Sequence, residues 1–202
     1  MARADTTVDT IVFDVGGVLL AHDNELLFRT LASRCISPAA LDLIRAEAHD
    51  ERYGTGALSI TDLHERLSSE LGYTSDWAGF AEDFCCHFTI WPEMIGLADR
   101  LAASNRFILF SNTNEVHRLH QRGIFERYEA YVSHELGLVK PDIAAFEKVA
   151  SLARIDPARS IFVDDRADNV EGARQAGFIA HQFTAQPTLE QFLCEQGITW
   201  NT

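Results

Sequence analysis

The chain has 202 residues, 47% of them hydrophobic, which is enough to bury a substantial core, yet no apolar run approaches the ~20 residues that a membrane span needs. Its formal net charge of −13 argues against nucleic acid or an anionic membrane surface as a main partner, because both repel an acidic surface. An anionic substrate would therefore need a local cation, either a metal ion or a well-placed Lys or Arg. The four cysteines, Cys35, Cys85, Cys86 and Cys194, show no CxxC spacing, and no leader precedes the first apolar run, so a reduced cytoplasm is the expected compartment.

The first predicted strand, Thr10–Val15 (TIVFDV), carries Asp14 and runs into Gly16-Gly17. From Leu20 to about Trp91 no convincing strand follows, only amphipathic helical patterns. Ile60, Leu63, Leu67 and Leu71 share one helix face, with Ser59 or Thr61 available as N-cap. Such an insertion is too long for a crossover and is expected to be a separate helical cap, residues 21–91, hinged near Ala21–Asn24 and Trp91–Glu93. The core would comprise residues 1–20 and 92–202. Cys85-Cys86-His87 lacks a second ligand pair and reads as buried small side chains rather than a metal site.

Beyond Pro92 the pattern alternates. Strands are predicted at Arg106–Ser111, Glu129–Ser133 and Ser160–Asp164, with a weaker one at Ile179–Phe183; helices are predicted at Glu115–Arg122, Asp142–Ala153 and Ala167–Ala176. Pro92 and Pro141 sit where first helical positions would be, and Gly123 and Gly177 where helices should stop. His117 and His120 lie one turn apart on what reads as a solvated helix face. Strands without polar alternation are covered on both faces, so the fold class is α/β, a doubly wound, Rossmann-like parallel sheet with an inserted helical cap.

Ligands of such sheets bind beyond the carboxyl ends of the strands. The residues there are Asp14, Ser111-Asn112 and Asp164-Asp165, with Lys140 in the loop after the third strand. Singly each has an ordinary reading as a turn former, a helix cap or an exposed lysine. Adjacent carboxylates at the mouth of a buried strand, however, repel each other and call for a cation. As a set, the residues supply a carboxylate nucleophile, a hydroxyl and amide for phosphate oxygens, a lysine to neutralise charge, and oxygen ligands suited to Mg²⁺.

The segments FDVGGVL (13–19), LFSNTN (109–114), GLVKPD (137–142) and IFVDDRADNVEGA (161–173) resemble, in order, the motifs of the haloacid dehalogenase-like (HAD) phosphohydrolases. The resemblance implies that Asp14 forms a phosphoaspartyl intermediate, that Ser111 and the Asn112 backbone bind the phosphoryl group, and that Lys140 bridges that group and the nucleophile. It further implies an Mg²⁺ site of Asp14, the Gly16 carbonyl and Asp165, supported by Asp164, with Asn169 orienting Lys140 or the metal shell. Asp168 would face solvent in the first turn of its helix.

Gly16 departs from the family pattern, which places a second Asp two residues after the nucleophile as general acid and base. Loss of that group slows a reaction by about 10²–10⁴. His22 or Asp23, just past the strand, are the nearest substitutes. A branch of the family that shares this glycine includes bacterial α-glucose-1-phosphate phosphatases, so the substrate expected is a small phosphate ester, with a sugar phosphate favoured. Arg52 and Tyr53, within Glu51–Gly54, are the expected substrate-facing cap residues. A monomer or weak homodimer is expected. The alternatives are a phospho-ligand-binding or regulatory protein that has lost turnover and a metal-free 2-haloacid dehalogenase, for which Asp164-Asp165 would have no use.

Overall fold

The computed structural model describes residues 7–47 and 50–200. Strand β1 (Thr10–Phe13) leads to β2 (Leu20–His22) and then to helices α1 (Asn24–Ser33), α2 (Ala40–Glu47), α3 (Glu51–Gly54), α4 (Ile60–Leu71) and α5 (Trp77–Cys85). Strand β3 (Phe88–Ile90) returns the chain to α6 (Pro92–Ser104), β4 (Arg106–Ser111), α7 (Glu115–His120), α8 (Arg122–Phe125), β5 (Glu129–Val132) and α9 (Ser133–Leu136). Helix α10 (Ile143–Ala153), β6 (Ser160–Asp164), α11 (Ala167–Gln175), β7 (Ile179–Gln182) and α12 (Gln186–Glu195) complete it.

The five-stranded sheet has the order β5-β4-β1-β6-β7, and every neighbouring pair in it is parallel. The chain lays strands outward from β1 on one side and then crosses to the other, so the connections diverge between β1 and β6. That divergence opens a crevice at the carboxyl edge, and the two strands flanking it deliver Asp14 and Asp164.

Alternate residues of the central strands feed two different cores, which is why no polar alternation is visible in their sequence. Ile11, Phe13, Leu109 and Val163 pack under α6 and α12, against residues such as Leu97, Leu101 and Leu189. Val12, Ile108, Phe110 and Phe162 face the other way, onto α9, α10 and α11 through Leu136, Phe146 and Ala173.

Helices α1 to α5 bury a third apolar cluster of their own, and Ile60, Leu63, Leu67 and Leu71 all belong to it. Helix α4 begins with a reciprocal capping box between Ser59 and Asp62 and ends at Gly72 in the left-handed region, with φ +67°. This helical unit is fastened to α7 of the core. Val116 is buried in its cluster, the Ile60 N–H donates to Glu115 Oε1 at 2.7 Å, and His117 Nε2 lies 3.2 Å from the Phe84 carbonyl oxygen.

Several local expectations are corrected. Both crossings between core and insertion are strands, β2 and β3, paired antiparallel; three-residue strands are too short to show a period in sequence. Helix α7 stops at His120, and Gly123 lies inside the next short helix rather than at a terminus. Pro141 precedes the α10 N-cap, Asp142, instead of opening the helix. His117 is not on a solvated face: it stacks on Phe84 at 4.4 Å and burial lowers its pKa to about 3. Of the adjacent cysteines Cys85 is buried but Cys86 is exposed.

Gly172 on α11 has a particular role, because a Cβ there would stand 2.3 Å from the Pro141 carbonyl oxygen, next to Lys140. In an exposed helix interior Gly→Ala gains about 1 kcal/mol. Here the clash should reverse the sign: Gly172→Ala is expected to lose ~1–3 kcal/mol, as overpacked sites do. Urea denaturation of the two proteins measures this, and a gain in stability would refute the close approach.

Candidate active site

The floor of the crevice is the carboxyl edge of β1, β4 and β6. Asp14 follows β1 directly, its N–H bonded to the Val163 carbonyl at 2.8 Å, so the sheet ladder itself fixes where the carboxylate stands. Its Oδ1 accepts from the Val15 N–H at 2.7 Å and lies 3.0 Å from Lys140 Nζ. Among the described residues Oδ2 has no such partner. Ser111 ends β4, buried on the same edge.

Lys140 reaches this edge from the loop after α9. Its ammonium is fully buried and has three oxygen partners: Asp164 Oδ2 at 2.6 Å, Asp14 Oδ1 at 3.0 Å and the Phe110 carbonyl at 3.0 Å. Burial opposes the charge, but the two carboxylates outweigh it and hold the lysine pKa above its usual value. The loop is clamped by a side chain that sequence reasoning credited only with its backbone. Asn112 accepts from the Lys140 N–H at 2.9 Å and donates to the Lys140 carbonyl at 2.8 Å.

Asp164 is fully buried and saturated. Beside Lys140, it accepts from the Arg166 N–H at 3.0 Å and from Asn169 Nδ2 at 3.0 and 3.1 Å. Asp165 differs: it is half-buried, and among the described residues no other residue donates to its carboxylate. Burial, then the neighbouring Asp164, raises its pKa. Gly17 makes room for it, because at φ +71° a Cβ would lie 2.3 Å from Asp165 Cγ. Ligand oxygens of Asp14, Asp164 and Asp165 all lie within 4.8 Å of one another, and Asn169 Oδ1 beside them is buried without a partner. This donor set, oxygen throughout, fits a hard divalent cation.

A cavity of about 550 Å³ opens over Asp14, bounded by Gly16, His22, Ser111, Lys140 and Asp165 among others. A second, of about 460 Å³, shares Asn112, Thr113, His87 and Lys140 with it and extends beneath the helical insertion. The site is therefore a two-part chamber with a charged floor.

Comparison with known proteins agrees with this geometry. The model of the haloacid dehalogenase-like hydrolases matches residues 8–177. The chain belongs to this family. Over 189 residues it is 24% identical to the sesquiterpene phosphatase astK of Aspergillus oryzae, covering 89% of this chain and 91% of that protein. The HAD family enzyme BT-2542 of Bacteroides thetaiotaomicron, in a variant solved with magnesium and inorganic phosphate, superposes with a TM-score of 0.79 at 20% identity, covering 88% of this chain and 95% of its own. A 2-haloacid dehalogenase from Pseudomonas syringae superposes less well, with a TM-score of 0.62 at 22% identity over 89% and 90% of the two chains.

The structure of this HAD hydrolase brings Asp14, Gly16, Ser111, Asn112, Lys140, Asp164, Asp165 and Asn169 to one place. Tyr53 and Glu51 line the chamber from α3, but Arg52 does not join them. Its guanidinium is exposed and paired with Asp50 at 2.6 Å, two residues away, outside the residues that line the chamber. Asp23 is engaged as the N-cap of α1, accepting from Leu26 N–H, whereas the His22 ring stands beside Gly16, its Nδ1 3.6 Å from where a Cβ would be. Asp168 is exposed and paired with Arg166. Sequence reasoning missed the chamber residues His87, Thr113 and Arg166. Thr113 lies inside the segment 109–114 and Arg166 inside 161–173, while His87 belongs to Cys85-Cys86-His87, which reads in sequence as buried side chains.

Burial raises the Asp14 carboxyl from the usual 3.8 to about 7, against the opposing pull of Lys140. A carboxyl raised on folding contributes stability below its unfolded pKa and loses that contribution as pH climbs through the folded value. Removing Lys140 leaves two buried carboxylates without their cation and pushes them further the same way. Lys140→Met should therefore cost ~3–5 kcal/mol near pH 8, and visibly less near pH 5, where an orphaned carboxyl takes up a proton. Urea denaturation at both pH values checks this; equal losses would contradict it.

Proposed function

We propose that the protein is a Mg²⁺-dependent phosphomonoester hydrolase of small phosphorylated metabolites, working through a phosphoaspartate on Asp14. The observation that carries the reading is the placement of Asp14, Lys140 and Asp165 at the switch point, with Asp14 lining the chamber and its Oδ1 held by Lys140 and the Val15 N–H. A named phosphatase relative and a structural neighbour holding magnesium and phosphate support it. The reading places the protein in the cytoplasm; no helix among the described residues is long and apolar enough to cross a membrane.

Asp14 Oδ2 attacks phosphorus, and the bond to the leaving oxygen breaks with its electron pair passing to that oxygen. Lys140 holds Oδ1 and fixes the attack direction, while Ser111 and the Asn112 backbone receive the phosphoryl oxygens. Mg²⁺ held by Asp14, Asp165 and the Gly16 carbonyl, with Asp164 behind them, would supply the charge needed for an anionic nucleophile to meet a phosphate dianion. Water then attacks phosphorus, the aspartyl bond breaks, and inorganic phosphate leaves. His22 stands where the absent acid belongs and exchanges the proton with the leaving oxygen and the attacking water. A sugar phosphate, the class suggested by the resemblance at Gly16, would leave readily even with weak proton donation.

Asp164 serves Lys140, so its presence does not by itself speak against the metal-free dehalogenase alternative. Asp165 does, since a half-buried carboxylate with no donor from another residue has no evident use without a cation.

With Mg²⁺ and acetyl or p-nitrophenyl phosphate, wild type should turn over and Asp14→Asn should lose at least about 10³ in kcat, a typical loss for a triad-like unit; acid quench should trap phosphorylated wild type only. Full activity in Asp14→Asn would overturn the nucleophile. Phosphate binding without turnover in wild type would leave the ligand-binding alternative, and metal-independent halide release would leave the dehalogenase. His22→Gln should slow alkyl phosphates by about 10²-fold while slowing acetyl phosphate far less, the pattern of a lost proton donor. Equal slowing of both would give His22 a structural part only.

A further inference from the structure

The chamber changes character with distance from Asp14. On the cap side the 460 Å³ cavity is walled by Leu27, Phe28, Ile60, Leu63 and Phe84. It continues into a narrow slot of about 40 Å³ inside the cap, bounded by Leu31, Ile44 and Leu67 as well as Leu27, Phe28 and Leu63. Five of these six are among the buried residues of the cap cluster, with Phe28 packed against it. A space left unfilled in an otherwise close-packed apolar cluster stays dry and takes apolar ligands.

Several polar side chains along the same wall are already engaged, whereas the Tyr53 hydroxyl and His87 Nδ1 are buried there without a partner. Asn112 holds both backbone groups of Lys140, and Asn114 accepts from the N–H groups of Val116 and His117. Glu47 is bidentate with Arg66, at 2.7 and 2.9 Å, and Asp50 is paired with Arg52. A polyhydroxylated body reaching the slot would meet Leu27, Leu31, Ile44, Leu63 and Leu67 and leave its hydroxyls short of partners there, at a cost for each. A second phosphate would fare worse: Lys140 is saturated by Asp14, Asp164 and the Phe110 carbonyl, and Arg166 is paired with Asp168.

We infer, on the basis of the phosphomonoester hydrolysis proposed above, that the substrate is the monophosphate of an alcohol with an apolar body of several carbons. The phosphate sits on the Asp14 floor and the hydrocarbon lies along Leu27, Phe28, Leu63 and Phe84 toward the slot. This replaces the sugar phosphate as the class that the walls favour. The chamber selects by hydrocarbon length at one end and by a single phosphate at the other.

The test is a series of primary alkyl phosphates from ethyl to decyl, below their micellar concentrations, with Mg²⁺ and the full chain, beside glucose 1-phosphate and glucose 6-phosphate. Because all the alkyl esters share one type of leaving oxygen, chain length reads burial alone. kcat/KM is expected to rise about fourfold per added methylene until the slot is filled, and to exceed that of both glucose phosphates. Phe28→Gln should flatten the dependence on length and Phe28→Leu should keep it; wild type alone suffices if the first variant does not fold. A flat series, or faster turnover of a glucose phosphate, with acetyl phosphate still hydrolysed overturns the apolar substrate and leaves the phosphatase standing. No turnover of any ester, acetyl phosphate included, overturns both.

Discussion

The arrangement depends on one buried ammonium. Lys140 lies between Asp14 and Asp164, which come from neighbouring parallel strands, and its third partner is a strand carbonyl, so its position is set by the sheet from three directions. A charge so deep is tolerable only because it is paired and hydrogen-bonded at every donor. Pairing is still incomplete in the opposite sense. With Asp165 included, three carboxylates face one lysine, and the surplus of two negative charges matches a divalent cation. The upward push on the Asp14 carboxyl comes first from its burial and then from the neighbouring Asp164, against the pull of Lys140.

That cluster would be of little use open to water, and the fold closes it in two ways. The core supplies the floor, and the helical insertion, joined by the β2–β3 ribbon, supplies the roof. It is attached to α7 through a carboxylate on an N–H, an imidazole against a carbonyl and a buried valine, and α3 with the turn after it lies close to His134 and Val139 of the core. Ile60, Phe84 and His117, which make these contacts, also line the chamber. The ribbon also carries His22 to Gly16, so the connection to the roof itself contributes a side chain beside the floor.

Much of this was legible in the sequence, for a physical reason. A parallel strand covered on both faces must be apolar throughout, so the first polar residue after each run marks the carboxyl edge; Asp14, Ser111 and Asp164 announce themselves that way. Position along a strand end is a local property. What was not legible depends on contacts between distant segments. The Asn112 side chain grips a loop 28 positions away, and His117 is buried only because the insertion folds back over α7. Arg52 was misjudged for the opposite reason, since a very local partner, Asp50, takes it out of the chamber. Strands of three residues, such as β2 and β3, leave no period to read.

Gly16 ties the chemistry to the substrate. A Cβ at this position would make only ordinary contact with His22, so the backbone does not demand glycine here as it does at Gly17, where φ is positive and Asp165 fills the space. An aliphatic alkoxide is a poor leaving group and departs only if it is protonated as it goes, whereas an anomeric or acyl oxygen can depart without help. If the apolar walls take a hydrocarbon alcohol, the missing acid must have a substitute, and an aspartate at position 16 would set a further carboxylate beside Asp14 on a floor that already holds Asp164 and Asp165. A histidine beside Gly16 avoids that extra negative charge next to Asp14, Asp164 and Asp165. The apolar wall and the histidine beside Gly16 are therefore linked requirements: the first makes a proton donor necessary, and the charge of the floor makes a neutral or cationic one preferable to a carboxylate.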